Sequence, residues 1–179
     1  AGQAAHAVGL DAIASAAEIL RLLKGEGFDV GDTLPDNASL VAELCDADPT
    51  PFLSLADYKR LFTDLDADAR AKIVAAWGAP DDDPSVRDNH FTMRFAHHGR
   101  LIAAIQPDRG NALDRKSNYH DADLPPRHAY AAFYLWLRET MRIHAMIHLG
   151  THGTLEWLPG KAMALSSACL PAALLGGLP

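Results

Sequence analysis

Cysteine is scarce in this chain: Cys45 and Cys169 are the two among 179 residues, and they form no CxxC pair, so neither a zinc ribbon nor a disulfide framework is indicated. That usage fits a reducing cytoplasm, which is the expected location. The first residues lack a secretory signal, and no apolar run approaches the roughly 18 residues a membrane span needs. A P-loop is missing too, so the chain has no evident means of hydrolysing ATP, and without GxSxG or HExxH the hydrolase reading loses support. Positive charge is in deficit: 16 Lys and Arg stand against 23 Asp and Glu, and the net charge of −7 disfavours a nucleic-acid partner.

What is present belongs to an ordinary folded protein, with 49% hydrophobic and 22% charged residues. The chain opens Ala1-Gly2-Gln3 and closes Gly176-Gly177-Leu178-Pro179, which reads as an excised piece of something larger. An apolar stripe through Ile13, Ala16, Leu20 and Leu23 predicts a helix capped by Asp11 and stopped by Gly25 or Gly27. Phe28-Asp29-Val30 reads as a short strand or extended connection. Asp36 caps a second expected helix, Asn37 to about Cys45, which Pro49 and Pro51 bring to an end. From Leu55 to Trp77 the pattern predicts two helices with a capped junction in the acidic stretch 64–68.

Further on, His90 to Phe95 and Arg100 to Gln106 predict a β-hairpin whose turn contains Gly99 and a solvated His97-His98 pair. His90, His120 and His128 read as cap or loop residues. Residues 107–126 form a long Pro-, Gly- and Asp-rich loop, of a length usually reserved for function or disorder. A helix is expected from Arg127 to about Met141, then a buried strand from Ile143 to Leu149, and at least partial helix over 162–175 that Pro171 must kink or restart. The fold class expected is α/β, with a mostly parallel or mixed sheet flanked by helices, as a partial domain cut from a larger subunit. A mainly helical part over 1–80 and an α/β part over 85–179 are the expected divisions, unless the whole is one continuous domain.

The chemistry concentrates in His148-Leu149-Gly150-Thr151-His152-Gly153-Thr154-Leu155-Glu156-Trp157-Leu158-Pro159-Gly160-Lys161. On a regular helix His148, His152 and Glu156 would share a face and suggest a metal site, but Gly150 and Gly153 argue instead for a strand end followed by a turn. Singly, each has a bland reading: His148 as a hydrogen-bonded core histidine, Glu156 as a solvated neighbour of a buried aromatic. Together they argue for a site. A carboxylate against apolar walls is poised for proton transfer near neutrality, and neutral imidazoles share that work or hold a transition metal. Upstream, Gln106-Pro107-Asp108-Arg109-Gly110 places Arg109 either to make a bidentate contact with a ligand carboxylate or to hold the loop by a salt bridge.

The motif resembles the signature of the cobaltochelatase large-subunit family (CobN), which is related to the porphyrin-binding H subunit of magnesium chelatase. The resemblance extends through Val8-Gly9-Leu10-Asp11, Gln106 to Gly110, Tyr119-His120-Asp121-Ala122-Asp123-Leu124-Pro125-Pro126, Phe133 to Leu137 and Leu165 to Pro171. Thr151 and Pro159-Gly160-Lys161-Ala162 are similar to the cobalt type. It implies an internal fragment of a large cytoplasmic subunit that inserts Co²⁺, as substrate, into hydrogenobyrinic acid a,c-diamide in aerobic cobalamin synthesis. ATP would be hydrolysed by separate AAA+ subunits of the CobS/CobT type. Glu156 is then the expected base, with His148 and His152 as proton relays or transient metal ligands. Trp157 would line the macrocycle, and Arg109, Lys161 and His120 would bind substrate. The rival readings are a non-catalytic tetrapyrrole-binding or partner-docking module, and a magnesium-type subunit acting on protoporphyrin IX with Mg²⁺.

Overall fold

A computed structural model describes residues 6–7, 10–110, 123–150, 155, 158–159 and 169–177. In chain order its elements are β1 (His6–Ala7), β2 (Leu10–Asp11), α1 (Ala12–Gly25), α2 (Asn37–Val41), β3 (Thr50–Ser54), α3 (Leu55–Thr63) and α4 (Ala67–Trp77). There follow β4 (Val86–Arg87), β5 (His90–Met93), β6 (Phe95–His98), β7 (Leu101–Ala104), α5 (His128–Leu135) and α6 (Leu170–Leu175). Single π-helical turns, Ala42–Asp46 and Trp136–Thr140, extend α2 and α5. The chain divides into two compact units, one of Ala1–Thr50, Met93–Ile105 and His148–His152, the other of Pro51–Thr92, Gln106–Ile147 and Gly153–Pro179.

In the first unit local sequence sets the helix ends. Asp11 Oδ1 accepts the Ala14 N–H at 2.9 Å, satisfying a donor that the first turn of α1 leaves open. At the other end Gly27 takes φ 85°, and the Gly27 and Phe28 N–H groups donate to Lys24 O and Leu23 O. That pair of reversed bonds is a Schellman cap, and Gly27 rather than Gly25 is the residue that allows it. Asp36 Oδ1 caps α2 through the Ser39 N–H at 2.8 Å. Leu20, Val30, Leu40 and Leu44 form the core, with Ile13, Leu34, Leu101 and Ile105 packed against it.

The β6–β7 hairpin pairs His98 with Leu101, leaving Gly99 and Arg100 as the loop. Gly99 has φ 60°, the positive first position of a type II′ turn. A Cβ there would overlap Asp29 Oδ1 and the Gly31 nitrogen, so the turn fits against the 29–31 corner only because residue 99 is glycine. Asp29 completes the clasp by accepting the Gly31 N–H on its carboxylate and the Arg100 N–H on its carbonyl. Phe28 to Val30 is therefore a connection, not a strand.

The second unit holds a three-stranded sheet of order β3-β5-β4. Strands β4 and β5 are antiparallel, and their loop, Asp88-Asn89, has φ 48° and 58°, the pair of positive angles that defines a type I′ turn. Ser54 caps α3 by accepting the Asp57 N–H, and Asp66 caps α4 by accepting those of Asp68 and Ala69. Every residue of α5 is buried, from His128 to Leu135. A helix with no polar face belongs inside a core, and each large side chain so buried contributes about 1.5–3 kcal/mol by removal from water. Pro171 starts α6 rather than kinking it.

Three expectations are corrected. The mostly parallel sheet is not found: β1–β2, β4–β5 and β6–β7 are antiparallel, in sheets of two or three strands among the described residues. Strands of two to five residues joined by two-residue turns need no helical crossover, which is what makes a sheet parallel. The predicted hairpin correspondingly begins at Phe95, while His90–Met93 pairs with Val86–Arg87 instead. Nor do residues 143–149 form a buried strand. They make no ladder, and Ile147 and Leu149 are 62% and 38% exposed. Their apolar composition signals a need for burial, but a strand also needs a neighbour, and among the described residues no ladder includes them.

Candidate functional site

Beyond β7 the backbone runs past α5, and Gln106 fixes it there. Its Nε2 donates to the Tyr130 hydroxyl at 3.0 Å and to the Tyr134 hydroxyl, two wholly buried phenols one helical turn apart. Arg109, 4% exposed, sends Nη2 to Leu124 O at 2.6 Å, while its own carbonyl accepts the Arg127 N–H at 2.9 Å. The segment carrying the candidate arginine is thus held at both ends, through Gln106 to the body of α5 and through Arg109 to its lead-in.

The start of α5 has no local cap. Its N-cap residue is Arg127, whose side chain bonds no helix N–H. Asp83 does that work from 46 residues away: Oδ2 accepts the Ala129 N–H at 3.1 Å, and Oδ1 accepts Arg127 Nη2 at 2.7 Å and the Ser85 N–H at 2.9 Å. Both oxygens of this buried carboxylate are satisfied, the condition under which burying a charge is tolerable.

His128 follows, buried and hydrogen-bonded on both ring nitrogens. Nε2 lies 3.1 Å from Gly78 O, and a carbonyl can only accept, so the proton is on Nε2. Nδ1 of the neutral ring then accepts from the Tyr58 hydroxyl at 2.7 Å. Desolvation pushes the His128 pKa below the ordinary value, against opposing pulls from the Gly78 carbonyl and Asp83. Burial likewise raises the Tyr58 phenol well above its usual range, with the Asp83 charge adding to it. His128 is the first residue of a helix, as a cap reading would have it, but it is an internal cross-link rather than a surface group.

His98 departs further from expectation. It lies on β6 rather than in a solvated turn and is 8% exposed, with Nε2 3.1 Å from Glu43 Oε2, though neither atom has a hydrogen-bond partner. Its neighbour His97 is exposed and sets its ring edge-on to Phe95. The sequence reading missed Asp83, Gln106 and His98 as organising residues. Asp83 opens an Asp-Pro-Ser turn, which could have drawn attention to it; nothing near Gln106 announces its two tyrosines.

Of the motif residues, His148 lies in the exposed stretch 147–150. His152, Glu156, Trp157 and Lys161 fall outside the described residues, as does His120. Leu155 and Leu158 are buried, and the Leu158 N–H donates to Leu155 O at 3.2 Å. Among the described residues no group of three or more His, Cys, Asp or Glu is placed to hold a metal ion.

Comparison with known proteins adds what this geometry leaves open. Residues 1–179 match the CobN/Magnesium Chelatase family. The chain belongs to that family. It is 40% identical to an aerobic cobaltochelatase subunit CobN of Sinorhizobium sp. over 99% of its own length, and 41% identical to that of Pseudomonas aeruginosa over the same share. It is also 30% identical to the magnesium-chelatase H subunit of Rhodobacter capsulatus, along all of the chain and 15% of that protein. The catalytic subunit of cobaltochelatase from Mycobacterium tuberculosis superposes with a TM-score of 0.77 and 36% identity, covering 97% of this chain and 16% of that one. The chain spans about 15% of the length of the CobN relatives it matches. Within the CobN/Magnesium Chelatase family it is therefore a mixed α/β portion of a much larger subunit.

Proposed function

We propose that this chain is part of the tetrapyrrole-binding subunit of an ATP-dependent cobaltochelatase, acting in the cytoplasm to insert Co²⁺ into hydrogenobyrinic acid a,c-diamide during aerobic cobalamin synthesis. The observation that carries the choice of metal is the identity gradient: 40–41% to two cobaltochelatase subunits against 30–31% to the H subunits of two bacterial magnesium chelatases, each along essentially the whole chain. Partner AAA+ subunits of the CobS/CobT type hydrolyse the ATP in this reading, consistent with the absence of a P-loop. No described helix is long and apolar enough to cross a membrane.

Insertion requires that the macrocycle give up its inner N–H proton to a base and that the metal lose its water. Glu156 is the base, and His148 and His152 pass protons outward or hold the metal transiently. Weak, incomplete coordination suits transfer, because a tight site would retain the ion. Trp157 lines the face of the ring, and Arg109, Lys161 and His120 pair with its carboxylates. The second reading, a non-catalytic docking module, draws support from the burial of Arg109 and its bond to Leu124 O, which suit loop-holding as well as substrate contact.

The deciding experiment is Glu156→Gln in the intact subunit, assayed with its ATPase partners. Loss of a general base lowers cobalt insertion by about 10²–10⁴-fold while tetrapyrrole binding, followed by absorbance, stays intact. Unchanged chelation would remove Glu156 from the mechanism and favour the module.

A further inference from the structure

The carboxylate of Asp83 joins two places at the start of α5: Oδ1 accepts Arg127 Nη2 at 2.7 Å and Oδ2 accepts the Ala129 N–H at 3.1 Å. Its own turn holds it still, through the Ser85 N–H at 2.9 Å. From there the ties continue to Arg109, whose carbonyl accepts the Arg127 N–H at 2.9 Å and whose Nη2 donates to Leu124 O at 2.6 Å. Backbone and guanidinium of Arg109 are thus both fastened to the stretch 124–127, and Asp83 fixes the far end of that stretch. We propose that Asp83 is a positioning residue for Arg109, holding it through Arg127 in the place from which it meets a carboxylate of the tetrapyrrole. The proposal rests on the reading of Arg109 as a carboxylate contact and adds to it the residue that sets its position.

Burial gives Asp83 its leverage. At 6% exposure its bonds to a guanidinium and to backbone N–H groups are charge-assisted and little screened by water, so they are short and directional. The helix offers no substitute, because the Arg127 side chain caps no N–H of α5. Without the carboxylate, residues 127–129 must find other partners, and Arg109 shifts with the N–H that holds its carbonyl. Two costs to binding follow. Ordering a long side chain at the moment of association weakens affinity by about 2–12-fold, a loss that prior fixing avoids. Bidentate pairing of a guanidinium with a carboxylate also fails when the two parallel N–H···O bonds no longer align. Asp83 acts on the ring through Arg109 alone, and this gives it a measurable signature.

Binding of hydrogenobyrinic acid a,c-diamide to the intact subunit, followed by absorbance without cobalt or ATP, tests this as a double-mutant cycle. Arg109→Ala should weaken binding by about 10–100-fold, the usual loss for a hydrogen bond to a charged group. Asp83→Asn, of the same size but uncharged, should weaken it by about 2–12-fold when Arg109 is present. Beside Arg109→Ala the same change should cost less than about 2-fold, because nothing is left to position. Arg127→Lys keeps a cation for Asp83 and should bind within about 2-fold of the natural subunit, whereas Arg127→Met should match Asp83→Asn. Should Asp83→Asn fail to fold, Arg127→Met takes its place in the cycle. Losses that multiply, as a merely structural role predicts, or no loss with Asp83→Asn, overturn the positioning role and leave Arg109 as a contact. Unchanged binding by Arg109→Ala, or no binding by the natural subunit, overturns the contact reading itself, and the positioning role falls with it.

Discussion

Helix α5 and the stretch 143–149 are close in the chain and have similarly apolar sequences, yet the first is wholly buried and the second largely exposed. The difference lies in their polar groups. Buried α5 has its first turn capped by Asp83, its His128 ring bonded on both sides and its two tyrosine hydroxyls met by Gln106. By contrast 143–149 is tied at its start by the Ile143 N–H donating to Leu137 O and joins no ladder among the described residues. Apolar side chains demand a covered place, but whether a segment reaches one depends on partners for its backbone.

The sharpest way to break that contrast is Asp83→Ala, which strips α5 of its cap and leaves Arg127 without its anion. Urea unfolding should report a loss of about 3–5 kcal/mol, the usual cost of breaking a buried pair on one side. A loss under about 1 kcal/mol would mean that Asp83 is replaceable by water. Next is Tyr58→Phe, which leaves His128 Nδ1 buried without a donor and should cost about 1–3 kcal/mol by the same measurement.

The third concerns pH. Because the His128 pKa is lowered on folding, the unfolded chain binds the proton more readily. Stability from this residue is therefore whole above the unfolded value of about 6.5 and falls as pH drops from there toward the folded value. In His128→Gln that part of the acid limb should vanish from a plot of unfolding free energy against pH; an unaltered limb would assign the dependence elsewhere. The smallest effect is expected on the other side of the comparison: Ile147→Ser, at an exposed position, should shift unfolding of the 179-residue chain by no more than about 0.5 kcal/mol. A larger loss there would show that the Ile147 side chain is packed in the folded chain.

Much of the helical framework was legible because its signals are local. Asp11, Asp36 and Asp66 each stand next to the helix they cap, and the turn requiring Gly99 could be placed from one residue. The sheet was less so. Alternation from His90 to Phe95 concealed a break at Arg94, and Asp88-Asn89, a fair I′ dipeptide, went unread. The cap on α5, the tyrosines on Gln106 and the burial of His98 beside Glu43 involve partners 24 to 55 residues distant, where periodicity carries no information. For the site, the motif was visible as an assortment of chemical groups, while the arrangement of Glu156 and His152 depends on tertiary structure that no spacing specifies.

The cap supplied by Asp83 also orders events in time. Helices usually close their first turn with a residue already beside them, within a fraction of a microsecond. Here the acceptor lies 46 residues away, so closing the ring from Asp83 to Ala129 carries a loop-entropy cost that a neighbouring cap does not. A chain growing from its N-terminus releases Asp83 and the Asp88-Asn89 turn well before it makes α5, so the acceptor stands ready when the helix arrives. Assembly of this unit should thus follow the long contact, with α5 among its last parts to become rigid.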